Sequence, residues 1–204
     1  MYPLLETIKI EEGIPMHLQW HQRRMDYAFH ILIGTSNPFQ LVNLITIPDE
    51  FQEGVNKCRV LYSGTEFSID YAEYQAKPIS SLKVVHDDTL DYSHKYSNRS
   101  MLNKLLEEKG EADDILIVRD GLITDTSFSN IVFFDAKSWI TPADPLLEGT
   151  CRNRLLADGE ISTANIRLED LQNYSVFRLI NAMLDFEMQS DLGIEKILFS
   201  TKKL

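Results

Sequence analysis

Cysteine is scarce in this sequence, since Cys58 and Cys151 are the only two among 204 residues. A disulfide-rich scaffold is therefore excluded, and the spacing of the two thiols does not suggest a metal-binding clamp. Long apolar runs are also missing, and none approaches the length of a membrane-spanning helix. Near the N-terminus, Glu6 interrupts the apolar core that a secretory signal peptide needs. The two thiols could pair, but we expect them to be reduced, with no metal site and a cytoplasmic location.

Basic residues are few relative to acidic ones, 20 against 31, which gives a formal net charge of -11. A protein this negative is repelled by nucleic acid backbones and by anionic lipid. We therefore expect neither nucleic acid nor a membrane as a partner, although a local basic pocket could still bind one small anion. The hydrophobic content of 44% and the charged content of 25% are typical of a globular protein.

The chain shows no internal repeat, and its apolar spacing predicts a mixture of strands and helices. Leu4 to Ile10 is typical of a strand, and Met16 to Ile33 has helical spacing with Gly34 as a stop. A hairpin is expected where Asp120-Gly121 separates two apolar runs. Such a mixture, with at least one antiparallel hairpin, indicates an α+β or mixed α/β fold. The pattern breaks near Lys77-Pro78, which predicts a domain boundary there.

Taken singly, the candidate functional residues carry little information. A lysine such as Lys95 is by default a solvated surface charge, and Arg24 and Asp125 are residue types that commonly form surface ion pairs or caps. The loop Leu146–Arg152, which precedes a predicted helix, is a generic anion site. The order of these residues along the chain is more informative than any one of them.

That order resembles the signature region of class IV aminotransferases. In this family a carboxylate is followed five residues later by Asn, then by a Thr-Pro pair and by a loop of the Gly-Thr-Arg type. The matching residues here are Asp125, Asn130, Thr141-Pro142 and Gly149–Arg152. The resemblance covers most of the chain in the same order, and its other elements are Leu4–Ile10, His21 and Arg24 (an H-x-x-R helix start), Lys95 (the cofactor lysine) and Leu179–Met183.

The resemblance implies pyridoxal 5'-phosphate as the cofactor. Lys95 would bond to the cofactor aldehyde and, once displaced by a substrate amine, would move a proton at the substrate α-carbon. Asp125 would pair with the ring nitrogen and keep it protonated, so that the ring works as an electron sink. The remaining implied cofactor contacts are Arg24, Asn130, Thr150, Cys151, Asn181 and Ala182.

Three departures from the family pattern bear on these expectations. The usual glutamate is Asp125, which reaches roughly 1.3 to 1.5 Å less far. Cys151 stands where a threonine is expected before the arginine, so that a backbone contact survives but a hydroxyl contact does not. The sequence also opens directly at the strand that other members precede with a strand pair. We therefore expect a shortened N-terminal α/β domain (1–78) and a larger strand-rich domain (79–204) that carries the cofactor lysine.

Three functions are compatible with the resemblance, each with a small-molecule amine as substrate or ligand. A 4-amino-4-deoxychorismate lyase, which eliminates pyruvate to give 4-aminobenzoate, is favoured by Asn181–Met183 and by the His94-Lys95 pair. The second is a branched-chain or D-amino acid transaminase, for which Arg59, Arg99 and Tyr96 are candidate substrate-carboxylate ligands. The third is a cofactor-binding protein without turnover. The family also implies a homodimer.

Overall fold

The computed structural model describes residues 4–199, and β-strands predominate in them. The strands are β1 (Leu4–Glu11), β2 (Ile14–Pro15), β3 (Val55–Tyr62), β4 (Phe67–Glu73), β5 (Leu82–His86), β6 (Asp114–Arg119), β7 (Leu122–Thr126), β8 (Asn130–Phe134), β9 (Trp139–Pro142), β10 (Ile161–Ala164), β11 (Val176–Ile180), β12 (Leu192–Gly193) and β13 (Ile197–Leu198). The α-helices are α1 (Leu18–Ala28), α2 (Leu41–Leu44), α3 (Ser100–Leu106) and α4 (Thr150–Ala157). The predicted mixed α/β class is confirmed.

The chain divides into two compact units. Within residues 4–199, the first unit comprises the chain up to Ala76 together with His94–Asn98, and the second comprises Lys77–Ser93 and the chain from Arg99 onward. The predicted domains, 1–78 and 79–204 with the cofactor lysine in the second, stay a prediction. Lys95 belongs to the first of the two compact units. The reason is backbone pairing with the start of β1, because Leu5 N donates to Lys95 O at 2.9 Å.

The first unit is built on an antiparallel sheet in the order β2-β1-β3-β4. In β3, buried and partly exposed residues alternate, as expected for a strand with one face against a core. Helix α1 covers that face through side chains at helical spacing, His21, Met25 and Ala28. A π-helical turn, Phe29–Ile33, continues α1, and Gly34 ends it with a φ of 76°, so the predicted stop is confirmed.

The second unit contains a mixed sheet whose main path runs β10-β9-β8-β7-β6-β5-β13, with β11 and β12 attached through β8. The predicted hairpin is confirmed as β6 and β7, joined by Asp120 and Gly121, which both have positive φ (51° and 75°). Strand β8 follows β7 and pairs with it at Asp125 and Asn130. This register places two predicted site residues opposite each other.

Helices in the described part of the chain are short. None of those within residues 4–199 combines the length and the apolar character that crossing a bilayer would require.

Candidate active site

Glu6 is the buried centre of the polar cluster in the first unit. It shares one face of β1 with Leu4 and Ile8, and its exposed fraction is 0%. Arg24 binds its carboxylate in a fork, from Nε to Oε1 at 3.0 Å and from Nη2 to Oε2 at 2.5 Å. His21 Nδ1 lies 2.7 Å from Oε2. His21 and Arg24 are three residues apart on α1, and this spacing presents both side chains to the same strand.

The charges in this cluster are fixed by the arginine. Burial by itself raises the pKa of Glu6, but the Arg24 charge and the hydrogen bonds from His21 and Arg24 outweigh it and lower the pKa to about 2. Burial lowers the pKa of His21, against the opposing effect of Glu6. At neutral pH the cluster is therefore an ionised Glu6 between a guanidinium and a neutral imidazole whose Nδ1–H donates.

Lys95, the predicted cofactor lysine, lies beside this cluster. Its side chain is partly buried, and its carbonyl accepts the hydrogen bond from Leu5 N, the residue before Glu6. Leu4 also forms an isolated antiparallel bridge with Tyr96. The positive charge of Lys95 contributes to the lowered pKa of His21, so the two side chains are electrostatic neighbours. The first unit thus brings together Lys95 and Arg24, which lie far apart in the sequence.

Asp125 is the buried carboxyl group of the second unit, with 5% of its surface exposed. Its Oδ1 accepts a hydrogen bond from Asn130 Nδ2 at 2.7 Å, and its Oδ2 accepts one from Leu147 N at 2.9 Å. Asn130 Nδ2 also donates to Leu147 O at 2.8 Å. Both donors to the carboxyl group are neutral, unlike the arginine that binds Glu6.

The protonation of Asp125 follows from these neutral partners. Burial raises its pKa to about 7, and the hydrogen bonds from Asn130 and Leu147 and the charge of Arg152 counteract burial only in part. The group is therefore set to gain or lose a proton near neutral pH. Such a perturbed carboxyl group is a candidate for acid–base chemistry.

The loop before α4 is packed directly onto Asn130. Gly149 precedes the helix, and a Cβ at that position would collide with the side-chain oxygen of Asn130. Thr150 and Cys151 are the first two residues of α4, and both are buried. The first backbone N–H groups of a helix have no partner inside the helix, which makes this position suitable for an anion. The predicted Asp125–Asn130 pair and the predicted phosphate loop therefore form one structure.

Asn181 and Ala182 follow β11 and complete the set in the second unit. Asn181 Nδ2 donates to Ser129 Oγ at 2.9 Å, and Asn181 Oδ1 accepts from Met183 N at 2.8 Å. The side-chain amide of Asn181 is thus hydrogen-bonded to the turn that follows Asp125. A contact from this segment to a ligand would come from the backbone of Asn181 and Ala182.

Some residues of the site were not predicted from the sequence. Glu6 was considered only as a charge that interrupts an apolar run. The sequence signal that could have identified it is an acidic residue inside a predicted apolar strand. The backbone N–H of Leu147 and the buried guanidinium of Arg152 belong to the predicted loop, but their contacts, to Asp125 and to Pro142 O at 2.9 Å, have no sequence signal. Within residues 4–199 no cluster of three His, Cys, Asp or Glu side chains is arranged to hold a metal ion.

Comparison with known proteins identifies related sequences and folds. A family model described as amino-transferase class IV matches residues 3–186. An uncharacterised protein from Haemophilus influenzae is 39% identical over 185 residues, which are 90% of this chain and 98% of that protein. A solved structure named as a candidate 4-amino-4-deoxychorismate lyase from Haemophilus somnus is 38% identical, with a TM-score of 0.83 over 90% of this chain and 97% of that one.

A more distant structure shares the fold. It is the pyridoxal-phosphate-bound form of a hypothetical aminotransferase from Mycobacterium tuberculosis. The sequence identity is 15%, and the TM-score is 0.74 over 93% of this chain and 80% of that one.

Proposed function

Because the chain belongs to the class IV aminotransferase family, we propose that it is a pyridoxal-phosphate-dependent enzyme in which Lys95 bonds the cofactor and Asp125 faces the ring nitrogen. The observation that carries this proposal is the environment of Asp125. A buried carboxyl group with neutral hydrogen-bond donors and a pKa of about 7 is suited to share a proton with a pyridine nitrogen. When bound, the cofactor supplies an electron sink for a carbanion formed next to the substrate amine.

The donor set of the second unit fits such a cofactor. Asp125 offers a buried carboxyl group to the ring nitrogen. The start of α4, at Thr150 and Cys151, offers backbone N–H groups to a phosphate. The absence of a side chain at Gly149 lets the helix start lie against Asn130, which holds Asp125. The backbone at Asn181 and Ala182 is tied to the turn after Asp125 through Ser129. These groups match the ring and the phosphate of the cofactor in charge and in hydrogen-bonding character.

Residues of the first unit supply the amine and a cation. We assign Arg24 to the phosphate, because a guanidinium held by a buried carboxylate presents its donors in a fixed orientation. Lys95 is the nucleophilic amine, and its amine nitrogen removes or returns the proton of the substrate α-carbon. The neighbouring His21 is neutral and buried, and so it adds no positive charge next to the lysine.

The reaction we propose is that of a 4-amino-4-deoxychorismate lyase. This choice is supported by the 38% identity to the Haemophilus somnus protein named as a candidate for that activity. It is also supported by the Asn181–Met183 and His94-Lys95 segments. In this reaction Lys95 carries the proton, and Asp125 holds the ring nitrogen protonated while pyruvate leaves. A homodimer and a cytoplasmic location remain predictions from the sequence, and light scattering after size-exclusion chromatography tests the dimer.

The test is to supply the cofactor-loaded protein with aminodeoxychorismate and to measure release of 4-aminobenzoate and pyruvate. We expect both products in equal amounts, and we expect Lys95→Ala to abolish them. Lys104→Ala, an exposed position on α3, is the matched control and should keep full activity. Absorbance changes with D-alanine, L-leucine or L-glutamate, without either product, would instead identify a transaminase. Bound cofactor with no response to any amine would reject turnover altogether.

A further inference from the structure

Ser127 carries a buried hydroxyl group without a partner. It lies in the turn between β7 and β8, two residues after Asp125, and 3% of its surface is exposed. Its Oγ is among the buried side-chain atoms that have no hydrogen-bond partner within residues 4–199. Burying a hydroxyl group without a hydrogen bond costs free energy, and a native structure seldom retains such a group without a reason.

The other two hydroxyl groups of this turn are hydrogen-bonded. Thr126 Oγ1 donates to Ser129 O and accepts from Ser129 N, both at 3.1 Å. Ser129 Oγ accepts from Asn181 Nδ2 at 2.9 Å. The turn is thus a regular hydrogen-bonded structure in which Ser127 alone has an unused side chain.

The backbone of Ser127 is held in place by Arg99. The guanidinium donates from Nη2 to Ser127 O at 2.7 Å, and its Cζ lies 4.1 Å from the centroid of the Phe128 ring. A buried Tyr92 ring lies on the same guanidinium at 5.8 Å. These contacts restrain the turn, so that the Ser127 backbone cannot shift freely to bring its hydroxyl group to another protein acceptor.

Ser127 lies two residues after Asp125 in the chain, where β7 has ended and the turn begins. We propose that the Ser127 hydroxyl donates a hydrogen bond to the cofactor bound at Asp125, and that Arg99 is the positioning residue that holds the turn. The inference rests on the proposed function, and it adds a ligand contact to the site already described. The acceptor is an oxygen atom of pyridoxal 5'-phosphate.

The experiment compares Ser127→Ala with the wild type, both without and with cofactor. Without cofactor we expect the thermal midpoint to be unchanged or higher, because the variant removes a buried group that had no partner. The dissociation constant for pyridoxal 5'-phosphate should rise about 2- to 12-fold, the range of one ordinary hydrogen bond. The absorption maximum of the bound cofactor should shift as well. Ser138→Ala, an exposed serine in the turn between β8 and β9, is the matched control and should change neither value.

Two further variants test the inference independently of Ser127→Ala alone. Ser127→Cys preserves the size with a weaker donor and should give an intermediate dissociation constant. Arg99→Met should weaken cofactor binding, and combining it with Ser127→Ala should add little, because both changes remove the same contact.

Unchanged cofactor affinity in Ser127→Ala would overturn the inference, since the hydroxyl group would then be satisfied by water. A lower thermal midpoint of cofactor-free Ser127→Ala would also overturn it, because a protein partner would then exist. In either case a wild type that binds the cofactor leaves the proposed function standing. A wild type that binds no pyridoxal 5'-phosphate would reject both.

Discussion

Each of the two compact units contains a fully buried carboxyl group, and the two groups differ in protonation. Glu6 in the first unit has a pKa near 2, whereas Asp125 in the second unit has a pKa near 7. Burial raises the pKa of both, so burial does not explain the difference. Glu6 faces a guanidinium within hydrogen-bond distance, and Asp125 is held by an amide and a backbone N–H. The charge of the hydrogen-bonding partner therefore decides the outcome.

The comparison shows how one chain uses the same chemical group for two tasks. A permanently ionised Glu6 orients the cation of Arg24 and accepts from His21, which is a structural task. A carboxyl group that titrates near neutrality can share a proton with a bound ring nitrogen, which is a chemical task. If the two groups differ in this way, changes at Glu6 affect stability most and changes at Asp125 affect turnover most.

The largest effect on stability is expected from Glu6→Gln. The change removes the carboxylate that Arg24, whose side chain is 13% exposed, binds in a fork, and it weakens the contact to His21. Breaking a largely buried ion pair in this way costs about 3–5 kcal/mol. Denaturant unfolding of the cofactor-free protein measures it. Glu50→Gln in the same unit is the control, because Glu50 is exposed. A loss for Glu6→Gln no larger than that for Glu50→Gln would contradict the account.

Asp125→Asn should affect turnover more than cofactor retention. An amide cannot hold the ring nitrogen protonated, so we expect the rate to fall roughly 100-fold or more. The cofactor dissociation constant should change only a few-fold, since most other contacts remain. Steady-state kinetics and equilibrium dialysis on the same samples measure the two effects. An unchanged rate would remove Asp125 from its assigned role.

Gly149→Ala tests the contact that supports Asp125. The added Cβ would displace the Asn130 amide, and we expect a loss of about 1–3 kcal/mol together with slower turnover. Gly64→Ala is the control, because its Cβ would lie 3.3 Å and 3.9 Å from two methyl carbons of Ile33 and would meet no polar group within 4 Å. If the clash is the cause, adding Asn130→Ala to Gly149→Ala should cost much less than the sum of the single changes. Strict additivity would show that Asn130 is not the group displaced.

Measured per pH unit, the smallest expected effect is the pH dependence of the stability of the cofactor-free protein. The pKa of Asp125 is raised from 3.8 to about 7 on folding, so its contribution is fully present below pH 3.8 and is lost as pH rises through 7. The stability of the wild type relative to Asp125→Asn should therefore fall over this window, by at most about 1.4 kcal/mol per pH unit. Glu6 has the opposite sign, because its lowered pKa removes stability as pH falls from 4.5 toward 2. A difference that is independent of pH between 4 and 8 would contradict the raised pKa of Asp125.

Local sequence signals predicted the parts of the fold that depend on short-range chemistry. Asp120-Gly121 predicted a turn that needs positive φ, and Gly34 predicted the end of α1 for the same reason. Strands β5 and β13 had no such signal, since they pair in parallel with each other from distant parts of the chain. The pairing of Lys95 with Leu5 had no such signal either, because it joins segments that lie far apart in the chain.

In the candidate site, too, residues with a local sequence signal were predicted, and residues defined by burial were not. The motif residues Asp125, Asn130 and Gly149 were identified by spacing, and the structure places them in mutual contact. Glu6 and Ser127 were missed because their importance comes from burial, which a single sequence does not display. A lone acid in an apolar strand is the kind of signal that would identify such a residue.

The most direct measurement is the site of covalent attachment of the cofactor. The protein is loaded with pyridoxal 5'-phosphate, treated with borohydride, digested and analysed by mass spectrometry. We predict that the cofactor mass lies on the peptide containing Lys95, and that it is absent from Lys95→Ala although that variant retains the fold. An adduct on another lysine of the wild type, or an undiminished adduct in Lys95→Ala, would contradict the account.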